Sequence, residues 1–291
     1  MKKLTQVLAL CCLVVAEFIS SGEPRPLPAH PTGLDKAKAM PFSGPGLNTH
    51  GQLLPVDKIK AIGIRWVRGD AAPDQVTEES VKRFLKHYRG MPVLWIIQQK
   101  TPDAPKVALD LIRWGVTDLE LGNEPERPEF SPDGTAWTGA RYGKWFAAIR
   151  KSVSGRARLY GPATGVYLPD FNANAIRAGM KADFISWHGY GRDLAAISRV
   201  YGDVSKRFGK QSINTEVGFG EGPNYPVKLH PADAFIAAKK LFGNRPWCYY
   251  DGPNGNADKR VGLFEWDPVR GNWEKVTETY RRIFELTEHP W

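Results

Sequence analysis

Asp118-Leu-Glu-Leu-Gly-Asn-Glu-Pro-Glu126 is the stretch on which the reading of this chain turns. Leu119 and Leu121 alternate with Glu120 and Gly122, the period of a strand with two unlike faces. Pro125 has no N–H to give a sheet and disfavours helix at the residue before it, so the strand stops at Asn123-Glu124. A carboxylate and a carboxamide then sit side by side at a strand tip. Taken alone, such a glutamate is explained equally well by a solvated strand end. At the carboxyl end of a barrel strand the same position is catalytic, so the surrounding elements decide.

Working outward, strand and helix patterns alternate. A first strand is expected within Pro41–Thr49, a helix over Val56–Ala61 and a second strand over Ile64–Asp70. A helix starts at Thr77, with Glu78 and Glu79 in its first turn, and ends at Gly90. Pro92–Gln99 and Pro105–Trp114 form the third pair. After the fourth strand come an amphipathic helix over Arg141–Val153, a fifth strand over Ala157–Pro162 and a helix over Phe171–Gly179. A sixth strand covers Asp183–Tyr190, a helix Leu194–Phe208, a seventh strand Gln211–Val217 and a helix Pro231–Phe242. An eighth strand at Pro246–Asp251 and a closing helix over Trp273–Thr287 complete the series. Eight alternations in this length predict a single α/β domain, a (β/α)8 TIM barrel spanning residues 41–291. An open doubly wound sheet is the competing architecture, but no glycine-rich dinucleotide turn follows strands one to three.

The start of the chain has a different character. Lys2 and Lys3 precede an apolar run from Val7 to Val15, and small residues Ser20, Ser21 and Gly22 follow, the layout of a secretory signal peptide over residues 1–21. The run is short for a membrane span, and Leu10 before Cys11 does not suit a lipoprotein site. Residues 22–40 read as a proline-rich arm. The expectation is a secreted or periplasmic monomer with no membrane anchor after cleavage. Cys11 and Cys12 would leave with the signal, so Cys248 has no partner for an internal disulfide. The formal net charge of +9 raises nucleic acid or an acidic polysaccharide as partners. The basic residues are spread over helix faces such as Arg141–Lys151 and Arg199–Lys210, which fits a solvated surface and no nucleic-acid site.

The chemistry-bearing residues all fall at strand ends: Arg68 and Asp70 on the second, Glu124 on the fourth, His188 and Tyr190 on the sixth, Glu216 on the seventh. Ser186, His188 and Tyr190 share a face of their strand, and Asn214 and Glu216 share a face of theirs. In a closed barrel these faces converge on one mouth. Two carboxylates across a cleft are the equipment for breaking a glycosidic bond, one protonated to assist departure and one ionised to attack. Arg68 and Tyr190 are placed to keep Glu216 ionised. Asn123 can bond a sugar hydroxyl next to the reacting carbon, and His188 can position substrate or adjust the acid. Trp137, in the loop after strand four, is a candidate aromatic platform for a pyranose. Trp66, Trp95 and Trp187 lie within strands and read as core.

Asn123-Glu124-Pro125 after a fourth strand, His188-Gly-Tyr190 after a sixth and Thr215-Glu216-Val-Gly218 after a seventh resemble the clan A retaining glycoside hydrolases built on (β/α)8 barrels. That clan includes cellulase-like, mannanase-like, β-xylosidase-like and endo-β-1,3-glucanase-like families. The resemblance spans roughly residues 41–287. It implies that Glu124 is the general acid/base, Asn123 the ligand of the 2-hydroxyl, Glu216 the nucleophile and Tyr190 its hydrogen-bond partner, with Arg68 matching a second-strand arginine of several member families. Cellulase-like members often carry a histidine at the end of strand three, where this chain has Ile97-Gln98-Gln99. They often place a tryptophan on strand eight under the sugar, where this chain has Tyr249-Tyr250-Asp251, making Tyr250 the expected substrate contact. Gly262–Asp267 and Arg270–Trp273 look like the hairpin that precedes the last helix in many members.

Other chemistries fit less well. The histidines are scattered, so no metal and no cofactor is expected. Glycine-rich loops at Gly218–Gly222 and Asp251–Gly255 suggest phosphate, but Glu216 and Glu221 would repel it. The expected function is retaining hydrolysis of a β-glycosidic bond in an oligo- or polysaccharide. The alternatives are a non-catalytic carbohydrate-binding barrel and a transglycosylase using the same carboxylates.

Overall fold

The computed structural model describes residues 39–70, 75–190, 193–218, 229–250, 252 and 262–288. The expected signal peptide, most of the proline-rich arm, Asp251 and most of the two glycine-rich loops lie outside the described residues. Eight parallel strands close on themselves in chain order: β1 Pro45–Asn48, β2 Trp66–Gly69, β3 Val93–Ile97, β4 Asp118–Leu121, β5 Arg158–Thr164, β6 Phe184–His188, β7 Ser212–Gly218 and β8 Trp247–Tyr250. Each is followed by a helix: α1 Val56–Ala61, α2 Glu78–His87, α3 Ala104–Arg113, α4 Gly139–Val153, α5 Pro169–Arg177, α6 Leu194–Phe208, α7 Pro231–Phe242 and α8 Glu278–Glu288. Between β8 and α8 lies an antiparallel hairpin, β9 Phe264–Asp267 and β10 Asn272–Val276, within the expected Gly262–Trp273 region and three residues beyond it. The architecture is a (β/α)8 TIM barrel.

Strand periodicity builds two cores. Outward-facing Val67, Trp95, Ile97, Leu119, Leu121, Ile185, Trp187 and Trp247 pack beneath the helices. On the alternate positions Trp66, Leu94, Tyr160, Phe184, Ile213 and Cys248 form a separate cluster that Phe42 joins. Trp66 passes so close to Gly46 that a Cβ there would lie 2.2 Å from its indole ring. Asp118, on the same strand face as Glu120, is held by Arg158 through two contacts of 2.6 Å and by the Tyr160 hydroxyl at 2.8 Å. Arg158, the first residue of β5, is the direct register partner of Asp118 on β4.

Local signals set the helix ends. Thr77 and Ser80 cap α2 reciprocally, Thr138 caps α4 and Asp193 caps α6. The closing helix is shorter than the sequence suggested. Trp273–Val276 belong to β10, because Lys275 and Val276 pair with Glu265 and Phe264. Thr277 then accepts from the Tyr280 N–H, so α8 begins at Glu278.

Helices α4 and α5 touch through glycine. A Cβ on Gly143 would collide with the Ala175 carbonyl oxygen, whereas one on Gly202, in α6, meets nothing within 4 Å. In urea denaturation Gly143→Ala is expected to lose about 1–3 kcal/mol through overpacking. Gly202→Ala should gain about 0.5–1 kcal/mol from helix propensity.

Candidate active site

The carboxyl ends of the strands surround a cavity of about 640 Å³. At its floor lies Arg68, on the same face of β2 as Trp66 and fully buried. Its Nε donates to Glu120 Oε2 at 2.6 Å, Nη1 to Glu216 Oε1 at 2.5 Å and Nη2 to Asn123 Oδ1 at 3.0 Å. One guanidinium thus joins β2, β4, the turn after β4 and β7. Burial alone would lower the Arg68 pKa, but the charges of Glu120 and Glu216 outweigh it and push the group up.

Glu216 emerges from β7 beside His188 of β6, its register partner. Its Oε1 takes Arg68, and its Oε2 accepts from the Tyr190 hydroxyl at 2.8 Å. Burial pushes this carboxyl up, yet the His188 and Arg68 charges and the Tyr190 hydrogen bond together hold it below the usual 4.5. Glu124 stands opposite, 3% exposed, with a left-handed φ of 47° that is uncommon outside glycine. Three residues fix that turn. The Glu124 N–H donates to Ala163 O at 2.9 Å. Gln99 grips Asn123 twice, accepting its N–H at 2.9 Å and donating to its carbonyl at 2.8 Å. Tyr142 of α4 donates to the Leu121 carbonyl just beneath.

His188 lies fully buried between the two acids, its Nδ1 3.2 Å from Glu124 Oε1 and 3.4 Å from Glu216 Oε2. Burial alone would lower it, but the Glu216 charge and the Glu124 contact raise it above 6.5. Arg127 Nη1 reaches Glu124 Oε2 at 2.8 Å from the cavity rim. Ligand atoms of Glu124, His188 and Glu216 all lie within 4.8 Å of one another, close enough to enclose a metal ion. Arg68 and Arg127 already bring positive charge to those carboxylates, so a metal cation would enter against two guanidinium groups. The donor set therefore suits a metal poorly.

Of the residues singled out by sequence, Arg68, Asp70, Asn123, Glu124, Tyr190, Glu216 and Tyr250 line the cavity. His188 lies beneath it, in contact with both acids. Tyr250 stands edge-on to Tyr190 and to His50. Trp137 is set aside as a sugar platform: it is 6% exposed, packs against Trp145 and is covered by the Arg141 guanidinium, so no ring face is free. The sequence reading missed Gln99, Glu120, Glu126 and Arg127. Glu120 left a signal, a charge on the inward parity of β4 that demands a buried partner.

No protein-family model and no curated protein matches the sequence. Solved structures do match in shape. A monomeric β-xylosidase from Caulobacter crescentus CB15 superposes with a TM-score of 0.61 at 14% identity, over 84% of this chain and 67% of its own. A GH39 enzyme from Xanthomonas axonopodis pv. citri gives 0.60 at 13%, over 85% and 66%. The chain spans about two thirds of the length of either. A GH5-4 broad specificity endoglucanase from Ruminococcus champanellensis with bound cellotriose gives 0.53 at 13%, over 88% of this chain and 97% of its own. What this chain shares with these structures is the closed (β/α)8 barrel. At these identities the likeness is one of fold, and it assigns no individual family.

Two measurements test the electrostatics. Arg68→Met strands Glu120 in the core without a counter-charge, and urea denaturation should show a loss of about 3–5 kcal/mol. Arg68→Met combined with Glu120→Gln removes the stranded charge and should recover most of it. The second test uses pH. His188 is raised by folding, so its contribution is complete below 6.5 and disappears as pH climbs through the higher folded value. The stability gap between the native chain and His188→Gln should therefore narrow from pH 6 to pH 9.

Proposed function

We propose that this chain is a retaining glycosidase that cleaves a β-glycosidic bond in an oligo- or polysaccharide. The observation that carries the reading is the pair of buried carboxylates whose oxygens approach within 4.8 Å in unlike surroundings. Retaining enzymes hold their two carboxyl groups about 5–5.5 Å apart, whereas inverting enzymes leave about 6.5–9.5 Å for a water. Glu216, kept ionised by Arg68, Tyr190 and His188, attacks the anomeric carbon as Glu124 gives its proton to the leaving oxygen. Glu124 then takes a proton from the water that attacks the glycosyl–enzyme, and Glu216 departs as carboxylate. Asn123, oriented by Arg68 and Gln99, offers its side-chain amide to the sugar beside the reacting carbon. The residues required are all side chains of this chain, and no cofactor enters the scheme. The fold neighbours include a xylosidase, a xylanase and an endoglucanase, which supports a β-linked glycan as substrate. The signal-like first 21 residues favour action outside the cytoplasm.

Reducing-end release from a panel of plant, fungal and bacterial polysaccharides tests this reading, with the product anomer followed by proton NMR. At least one glycan should be cleaved with the β-anomer appearing first. Glu216→Gln should abolish cleavage, and Glu124→Gln should slow it by about 10²–10⁴-fold. Binding without cleavage would favour a carbohydrate-binding barrel. Products longer than the substrate would favour transglycosylation. Activity that survives Glu216→Gln would remove Glu216 from the mechanism.

A further inference from the structure

The two-carboxylate scheme leaves an aromatic pair near the mouth without a task. Trp266 of β9 and Trp273 of β10 meet edge to face, their ring centroids 5.5 Å apart. Trp66, Trp95, Trp187 and Trp247 are buried in the two cores, whereas Trp266 is 50% exposed. Strand parity sets its direction. Phe264 and Trp266 share one face of β9, and Phe264 packs against Tyr280 of α8. Glu265, on the other face, pairs with Lys275 at 2.5 Å. Trp266 therefore continues the hairpin face that turns toward the barrel.

Backbone and side-chain tethers bring that face to the mouth. Gly252, just past β8, donates to the Asn48 carbonyl at 2.9 Å, and its own carbonyl accepts from Leu263 and Phe264 at 3.0 Å each. Trp273 Nε1 donates to Gln52 Oε1 at 3.1 Å. Lys58 of α1 grips Glu274 by its carbonyl and its carboxylate, at 2.7 Å each. Asn48 and His50 line the cavity, and Gln52 follows His50 by two residues, about 7 Å of chain. Strands β1 and β8 lie across the closed barrel from β4 and β5, whose loops carry Glu124, Arg127 and Gly165. Glu124 serves the departing sugar, so the hairpin stands on the side of the sugar that is retained, the glycone.

The chemistry of the pair suits a carbohydrate. An indole N–H only donates, so Trp273 orients the Gln52 amide with Oε1 toward itself. That leaves the exposed Gln52 NH2 group and the Trp266 N–H without a partner among the described residues. A half-open indole flanked by side-chain donors matches a pyranose, whose C–H face is apolar and whose rim carries hydroxyls. We propose that Trp266, with Trp273 and Gln52, forms a second sugar-binding site that holds the glycone chain beyond the cavity. The inference rests on the glycosidase reading and narrows its substrate to a glycan chain that reaches from the cavity to the hairpin. Gly252, Gln52 and Lys58 already fix the hairpin, so little ordering is lost when the chain settles on it.

The test compares two substrates from the glycan that is cleaved: a long oligosaccharide and the shortest one turned over. The quantity read is the ratio of kcat/KM on the first to kcat/KM on the second. Both substrates meet the same enzyme population, so partial misfolding cancels. Trp266→Ala should lower the ratio about fivefold to tenfold, the worth of one aromatic contact. Trp266→Phe, which keeps a ring, should lower it by no more than about twofold. A ratio unmoved in Trp266→Ala overturns the proposal; if sedimentation then shows a native dimer that the variant lacks, the pair is a contact between copies. A Trp266→Phe ratio as low as that of Trp266→Ala overturns it too, because a stacking face survives that change. A native chain that cleaves no glycan overturns the glycosidase reading and this inference with it, whereas cleavage with an unmoved ratio removes this inference alone.

Discussion

The Arg68 guanidinium is the contact on which the candidate site depends. It is fully buried and gives a hydrogen bond to each of three side chains, Glu120, Asn123 and Glu216. A buried ion group of this kind is poor evidence for extra stability, because desolvation of each charge opposes the attraction. Its consequence is geometric. The fork of Arg68 fixes the distance between β4 and β7 side chains at the mouth, and its charge, with that of His188, helps hold the Glu216 carboxyl down. Glu120, which never reaches the cavity, matters because it holds the third side of that fork.

A second constraint acts on the acid opposite. Glu124 adopts a left-handed backbone, a conformation that costs about 1–3 kcal/mol in a non-glycine residue and persists only where neighbours over-determine it. Gln99, Ala163 and Tyr142 do so from three elements, β3's end, β5 and α4. The turn directs the carboxyl toward Glu216 instead of along the strand axis. His188 then sits in the gap, touching both acids through one nitrogen, so both carboxyl groups favour its charged form.

Much of this was legible in the sequence, for a physical reason. Helical burial repeats every 3.6 residues over many turns, and α1, α6 and α7 begin and end where the pattern placed them. Strand limits were less legible, because side-chain alternation does not mark where ladder pairing stops; β2 and β3 are both shorter than the expected Ile64–Asp70 and Pro92–Gln99. The strand-end polar residues were found because parity and position coincide. Trp137 was misplaced because an aromatic in a loop gives no sign of whether Trp145 and Arg141 will cover it. Gln99, Glu126 and Arg127 were missed because their roles come from the path of a turn that no period encodes.

The same division explains how the barrel matches solved glycosidases in shape at 13–14% identity while no family model matches. The helix layer and both cores ask only for side chains of suitable size and polarity, so their identities can drift while volume is kept. The cavity asks for particular atoms, but few of them: a guanidinium, two carboxylates, an amide, a phenol and an imidazole at the ends of four strands and their turns. Six fixed positions among 291 residues add little to whole-chain identity. The loops that carry Glu126 and Arg127 are free of both demands, and they are where a chain with this mouth can acquire a preference of its own.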